Sequence, residues 1–96
     1  EAFNNLLFAY HHTKDTRKAM ALMPVALRTA KTNAATYHNA ACIYVRAKKL
    51  REALSCIKLA KAAGYDHLAA LKVDEALKPL RKNKEFQALL ADVPEA

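Results

Sequence analysis

The chain has a single glycine, no tryptophan, three prolines and two cysteines in 96 residues. One glycine cannot supply a Gly-rich phosphate cradle or a Gly-x-Ser-x-Gly nucleophile turn, and no His-Glu-x-x-His motif occurs. Nothing in the sequence orients a catalytic base or offers an oxyanion hole, so no enzyme is expected, and no catalytic residue, cofactor or metal is assigned. Cys42 and Cys56 do not form a CxxC pair, and free thiols in a reducing compartment are the expectation. No stretch approaches the roughly 18 apolar residues that cross a bilayer, and the opening EAFNNLLFAYHH lacks the basic-then-apolar order of a signal peptide. The chain therefore reads as cytoplasmic, without a membrane partner. It does not begin with Met and enters a helical pattern at once, which reads as part of something longer with repeats upstream.

Acidic residues are scarce too. Nine of them face sixteen Lys and Arg, for a net charge of +7. Between Lys14 and Lys61 only Asp15 and Glu52 oppose a long series of basic side chains, so an acidic partner would be drawn to that segment.

What is abundant is apolar spacing of the helical kind. In the stretch from Asn33 to Gly64, apolar residues fall at Tyr37, Ala40, Ala41 and Tyr44, then at Leu50, Ala53, Leu54, Ile57 and Ala60, on either side of a charged break at Lys48 and Lys49. That pattern predicts two helices folded back on each other. About 34 residues earlier the same face recurs at Phe3, Leu6, Leu7 and Tyr10, then at Ala19, Met23 and Ala26. Asp15 or Thr16 is suited to cap the second helix, and Thr32 with Asn33 the third. Pro24 predicts a kink or a break near Met23. Gly64 is placed to end the fourth helix. The remainder holds three short periodic pieces, His67 to Lys72, Asp74 to Arg81 and Lys84 to Asp92, with Asp66, Asp74 and Asn83 placed to start them. Short helices of this kind can cover the last apolar face of a stack.

Both units resemble tetratricopeptide repeats. An aromatic, Phe3 or Tyr37, opens the first helix, Tyr10 or Tyr44 follows two turns on, and Ala19, Ala26, Ala53 and Ala60 fill the crossing points. The runs YHNAACIY, REALSCIKLAKAAGYD and VDEALKPLRKNKEFQALL are more specific and resemble the terminal portion of bacterial tetratricopeptide arrays. The matching positions are Asn39, Ala41, Cys42, Gly64, Asp74, Leu77, Leu80, Arg81, Phe86, Leu89 and Leu90. Leu7 stands where the repeat usually has a small residue, Lys31 and Tyr65 where it usually has Pro, and Pro24 is foreign to it. The fold expected is all-α: two hairpins stacked as a short right-handed solenoid, closed by a C-terminal helical cap. Its parts span about 1–32, 33–64 and 65–92 within one domain.

The resemblance implies a protein-interaction scaffold whose first helices line a concave groove. By helical spacing the groove side carries Asn4, Asn5, Phe8, His11 and His12, then His38, Asn39, Cys42 and Arg46. Asparagine amides can pair with an extended peptide, and Arg46 can hold a carboxylate, so an acidic peptide or protein surface is the expected partner. The alternatives are RNA or DNA bound by the basic segment, and self-association through an uncovered first helix. His38 and Cys42 lie one turn apart and His11 could approach them, as zinc would require, but a single turn-spaced pair does not define a metal site.

Overall fold

In the computed structural model, which describes residues 8–10, 12–29 and 34–94, every regular element among the described residues is helical. Residues 8–10 and 12–13 are helical and lead into α1 (Thr16–Thr29), α2 (Ala35–Arg46) and α3 (Leu50–Ala62). Two short helices, α4 (Leu68–Val73) and α5 (Lys84–Leu89), flank a 3₁₀ segment at Glu75–Leu80. Helix α2 is the centre. It packs on α1, on α3 and on the 3₁₀ segment, and α5 covers part of α3. A helix covered from several sides must be apolar nearly all round, and α2 buries Thr36, Cys42, Ile43 and Val45 as well as Tyr37, Ala40 and Ala41. The single stripe read from periodicity is therefore too narrow, and its member Tyr44 is only half-buried.

Helices approach closely where side chains are short. Ala19, Ala40, Ala41, Ala53 and Ala60 are all fully buried, as the repeat spacing requires. Met23, Ile43 and Ile57 fill the space between them, and Leu71, Leu77, Leu80, Phe86 and Leu90 extend the same core from the C-terminal segment. The C-terminal helices thus share one hydrophobic core with the helix pairs they cover.

The repeat is visible in the backbone. Lys14 and Lys48, separated by the repeat spacing, both take left-handed conformations, with φ of 62° and 64°. In each case the next residue's amide reaches back to a tyrosine carbonyl: Asp15 N to Tyr10 O at 2.9 Å and Lys49 N to Tyr44 O at 2.8 Å. Gly64, at φ 77°, ends α3 in the same way, with Tyr65 N donating to Ala60 O at 3.0 Å. Each is a Schellman closure, which satisfies carbonyls that a helix end leaves open. At the start of α1 the Asp15 carboxylate accepts from Lys18 N at 3.2 Å, the cap expected there. The proposed cap at Thr32 and Asn33 lies outside the described residues.

Of the kink or break expected near Met23, the break does not occur, since helix α1 runs through Pro24. The proline removes one donor and leaves the Met20 carbonyl without its helical partner, but its ring is exposed, so no core side chain has to yield. In the C-terminal segment, Asp74 and Asn83 cap their elements through bonds from Ala76 N at 2.9 Å and Phe86 N at 3.0 Å, whereas Asp66 does not cap α4. The middle piece is a tight 3₁₀ turn with Pro79 inside it.

Candidate functional site

Helix α2 projects His38, Asn39 and Cys42 from one face, because positions one turn apart lie over one another. That face borders a cleft of about 470 Å³, lined by Phe8, His12, Ala35, His38, Asn39, Cys42, Tyr65 and Asp74. Five of the residues expected on the groove side therefore meet in one place. Asn4, Asn5 and His11 lie outside the described residues. Arg46, one turn beyond Cys42, is half-buried and does not line the cleft, although its charge is felt at Cys42.

Two walls differ in character. Phe8 is 53% exposed and its ring lies 4.2 Å from that of His12, centroid to centroid, so this side is an accessible aromatic pair. The opposite side is a polar cluster fixed by hydrogen bonds. His38 Nε2 lies 2.7 Å from Asp74 Oδ2, and His38 Nδ1 lies 2.8 Å from the Tyr65 hydroxyl. Cys42 donates its S–H to the same Asp74 oxygen at 3.5 Å. The other oxygen of Asp74 accepts from Ala76 N, and the Asp74 carbonyl accepts from Arg81 at 3.3 Å. Asp74 thus ties α2 to the C-terminal segment.

These contacts set the protonation states. Burial by itself would raise the Asp74 carboxyl, but the bonds from His38, Ala76 N and Cys42 outweigh it and hold it below the usual carboxylate range. Burial pushes the Cys42 thiol well up, and the Asp74 charge and hydrogen bond push it further, while Arg46 acts the other way. The Tyr65 hydroxyl is also raised, first by burial and then by the charges of Asp66 and Asp74. Cys56, buried elsewhere in the core, is pushed up to about 12 by burial and Glu52. Both cysteines are free, and in this setting both are thiols at neutral pH, not the thiolates that nucleophilic chemistry uses.

Reading the sequence alone missed Tyr65 and Asp74 as partners of this face. They stand 27 and 36 residues beyond His38, outside any helical spacing, and neither the capping signal at Asp74 nor its place in the array resemblance pointed to His38. The basic segment is partly neutralised within the chain: Lys58 pairs with Glu85 at 2.9 Å and Lys61 with Asp92 at 2.8 Å.

No family model matches the chain, and no solved structure matches it significantly. A chloroplast protein of Arabidopsis thaliana that contains tetratricopeptide repeats is 32% identical over 59 residues, which are 62% of this chain and 18% of that protein. The chain therefore spans under a fifth of that relative's length. The relative belongs to a plastid, so the cytoplasmic and bacterial expectations find no support in it. No helix among the described residues is long and apolar enough to cross a membrane. The likeness, distant and partial, is to a repeat protein, and the described helices stack in pairs without strands.

Proposed function

We propose that this chain is a tetratricopeptide-type docking module, a short solenoid closed by its C-terminal helices, which holds a peptide segment in the cleft between Phe8 and Asp74. The observation that carries the reading is the convergence of Phe8, His12, His38, Asn39 and Cys42 on one cleft. One wall supplies an exposed aromatic pair to anchor a side chain, the other a rigid polar surface to pair with the peptide backbone. The preference for acidic partners rests on the net charge of +7 and on exposed Lys48, Lys49 and Arg51 at the α2–α3 turn. The cleft itself contributes Asp74, so the acidic part of the partner would lie at its rim.

Because His38 is bonded to both Asp74 and Tyr65, Phe8 is the cleaner residue to change. Peptides selected from a displayed library should perturb amide resonances of Phe8, His12 and Asn39. Phe8→Ala should weaken them by about 30-fold, the size of an aromatic anchor, with helical circular dichroism unchanged. Peptides that bind Phe8→Ala as tightly as the parent would remove the cleft from consideration.

A second reading has one observation in its favour. Lys14 and Arg17 recur 34 residues on as Lys48 and Arg51 around the same left-handed turn, with Lys18 and Lys49 beside them, and all six are exposed, a surface that RNA or DNA phosphates could meet. Single-stranded RNA binding that falls about 10³-fold between roughly 50 and 200 mM salt, and is lost when these six residues become Glu, would place function there instead.

A further inference from the structure

We propose that His38, Cys42 and Asp74 form a binding site for a zinc-class divalent metal ion, with one coordination position left open to the cleft. The inference is independent of peptide docking.

Three donor atoms of three chemical kinds converge here: an imidazole nitrogen, a sulfur and a carboxylate oxygen, all within 4.8 Å of one another. Nε2 of His38 and Sγ of Cys42 stand 2.7 and 3.5 Å from Oδ2 of Asp74. Around a tetrahedral zinc with bonds of about 2.0–2.3 Å, neighbouring ligand atoms are about 3.3–3.8 Å apart. The tightest edge of the cluster therefore needs to open, and the widest to close, by about an ångström or less. A turn-spaced pair on α2 and a third donor from the start of the 3₁₀ segment make a chelate from separate elements, which a cluster of surface acids does not.

The surroundings orient two of the donors as outer-shell partners in metal sites do. The Tyr65 hydroxyl takes up Nδ1 of His38, which leaves Nε2 aimed at the cluster. Ala76 N takes up Oδ1 of Asp74, which leaves Oδ2 there. The side chains of His38 and Asp74 are only 15% and 27% exposed, so the ion would be sheltered on the protein side. On the other side the same three residues border the cleft, where a water or a ligand atom could complete four-coordination.

The donor set selects the metal. Sulfur with imidazole favours Zn(II) or Co(II), while Mg(II) and Ca(II) prefer all-oxygen sites. On binding, the S–H bond of Cys42 breaks and an S–metal bond forms, and the proton leaves to solvent. The ion keeps its oxidation state, so no other reactant is needed.

The test is a titration of the chelator-stripped protein with Co(II), followed by absorption, then back-titration with Zn(II). The expected result is one equivalent bound, with tetrahedral visible bands and a near-ultraviolet thiolate-to-cobalt band, all abolished by Zn(II). Cys56→Ser should leave the spectrum intact. Cys42→Ser should remove the thiolate band, and Asp74→Asn should weaken binding at least about tenfold, in the range that perturbed metal shells show. Silence of the parent protein under excess Co(II) overturns the site. So does a thiolate band that persists in Cys42→Ser or vanishes in Cys56→Ser. Unchanged affinity in Asp74→Asn overturns the role of the carboxylate and with it the three-donor site.

Discussion

Removing the Asp74 side chain should be damaging although the residue is only partly buried. Its carboxylate caps the 3₁₀ segment through Ala76 N, accepts from His38 and accepts weakly from Cys42. A lost cap costs about 1 kcal/mol. A lost hydrogen bond to a charged acceptor costs about 1.5–3 kcal/mol, and the low end applies because water reaches a side chain that is 27% exposed. Asp74→Ala should therefore destabilise by about 2–3 kcal/mol, or about 10–20 °C in Tm for a domain of this size. Asp74→Asn keeps an oxygen for the cap and loses only the anionic acceptor, so it should cost about 1–2 kcal/mol. The assay is urea unfolding by circular dichroism at pH 7 with chelator present, which keeps any metal out of the comparison. A loss below about 0.5 kcal/mol in Asp74→Ala, with an unchanged m-value, would refute the view that this carboxylate fastens the C-terminal segment to α2.

The same carboxylate has a pH signature. Its folded pKa lies below the unfolded one, so its stabilisation is fully present above about pH 4 and is lost as pH falls through the folded value. The stability gap between the parent and Asp74→Asn should accordingly be flat at neutral pH and shrink below about pH 4, and a gap that grows on acidification would contradict the sign.

The remaining predictions concern the backbone and the core. Lys48→Gly should stabilise by about 0.5–1 kcal/mol, because glycine adopts the φ of 64° without a Cβ penalty, and a drop in Tm would show that the lysine side chain matters more than the turn. Gly64→Ala should cost about 1 kcal/mol purely through its φ of 77°, since an added Cβ would meet nothing within 4 Å, and no loss in chemical denaturation would refute that account. Ala53→Leu should cost about 1–3 kcal/mol by forcing apart two helices that meet at a fully buried alanine, and an unchanged urea midpoint would mean that α2 and α3 can separate freely.

Local chemistry alone determined much of this protein. The helical period, the buried alanines at Ala19, Ala53 and Ala60, the caps at Asp15, Asp74 and Asn83 and the closure at Gly64 all follow from spacing and side-chain type, because each acts within a turn or two of its own position. The side of α2 that carries His38, Asn39 and Cys42 was legible for the same reason. The outcome at Pro24 was not, because the lost bond to the Met20 carbonyl is local whereas the packing that holds α1 in place, through Ala19 and Met23, is tertiary. Nor was the extent of burial of α2, since α1, α3 and the 3₁₀ segment all pack on it and Thr36, Cys42, Ile43 and Val45 are buried as well as the periodic stripe. Above all, only the tertiary structure decided that His38, Cys42, Tyr65 and Asp74 form one cluster. Their separations follow no secondary-structure period. The return of the chain after Gly64 onto α2, driven by burial of Leu71, Leu77 and Leu80, is what brings the carboxylate to the histidine.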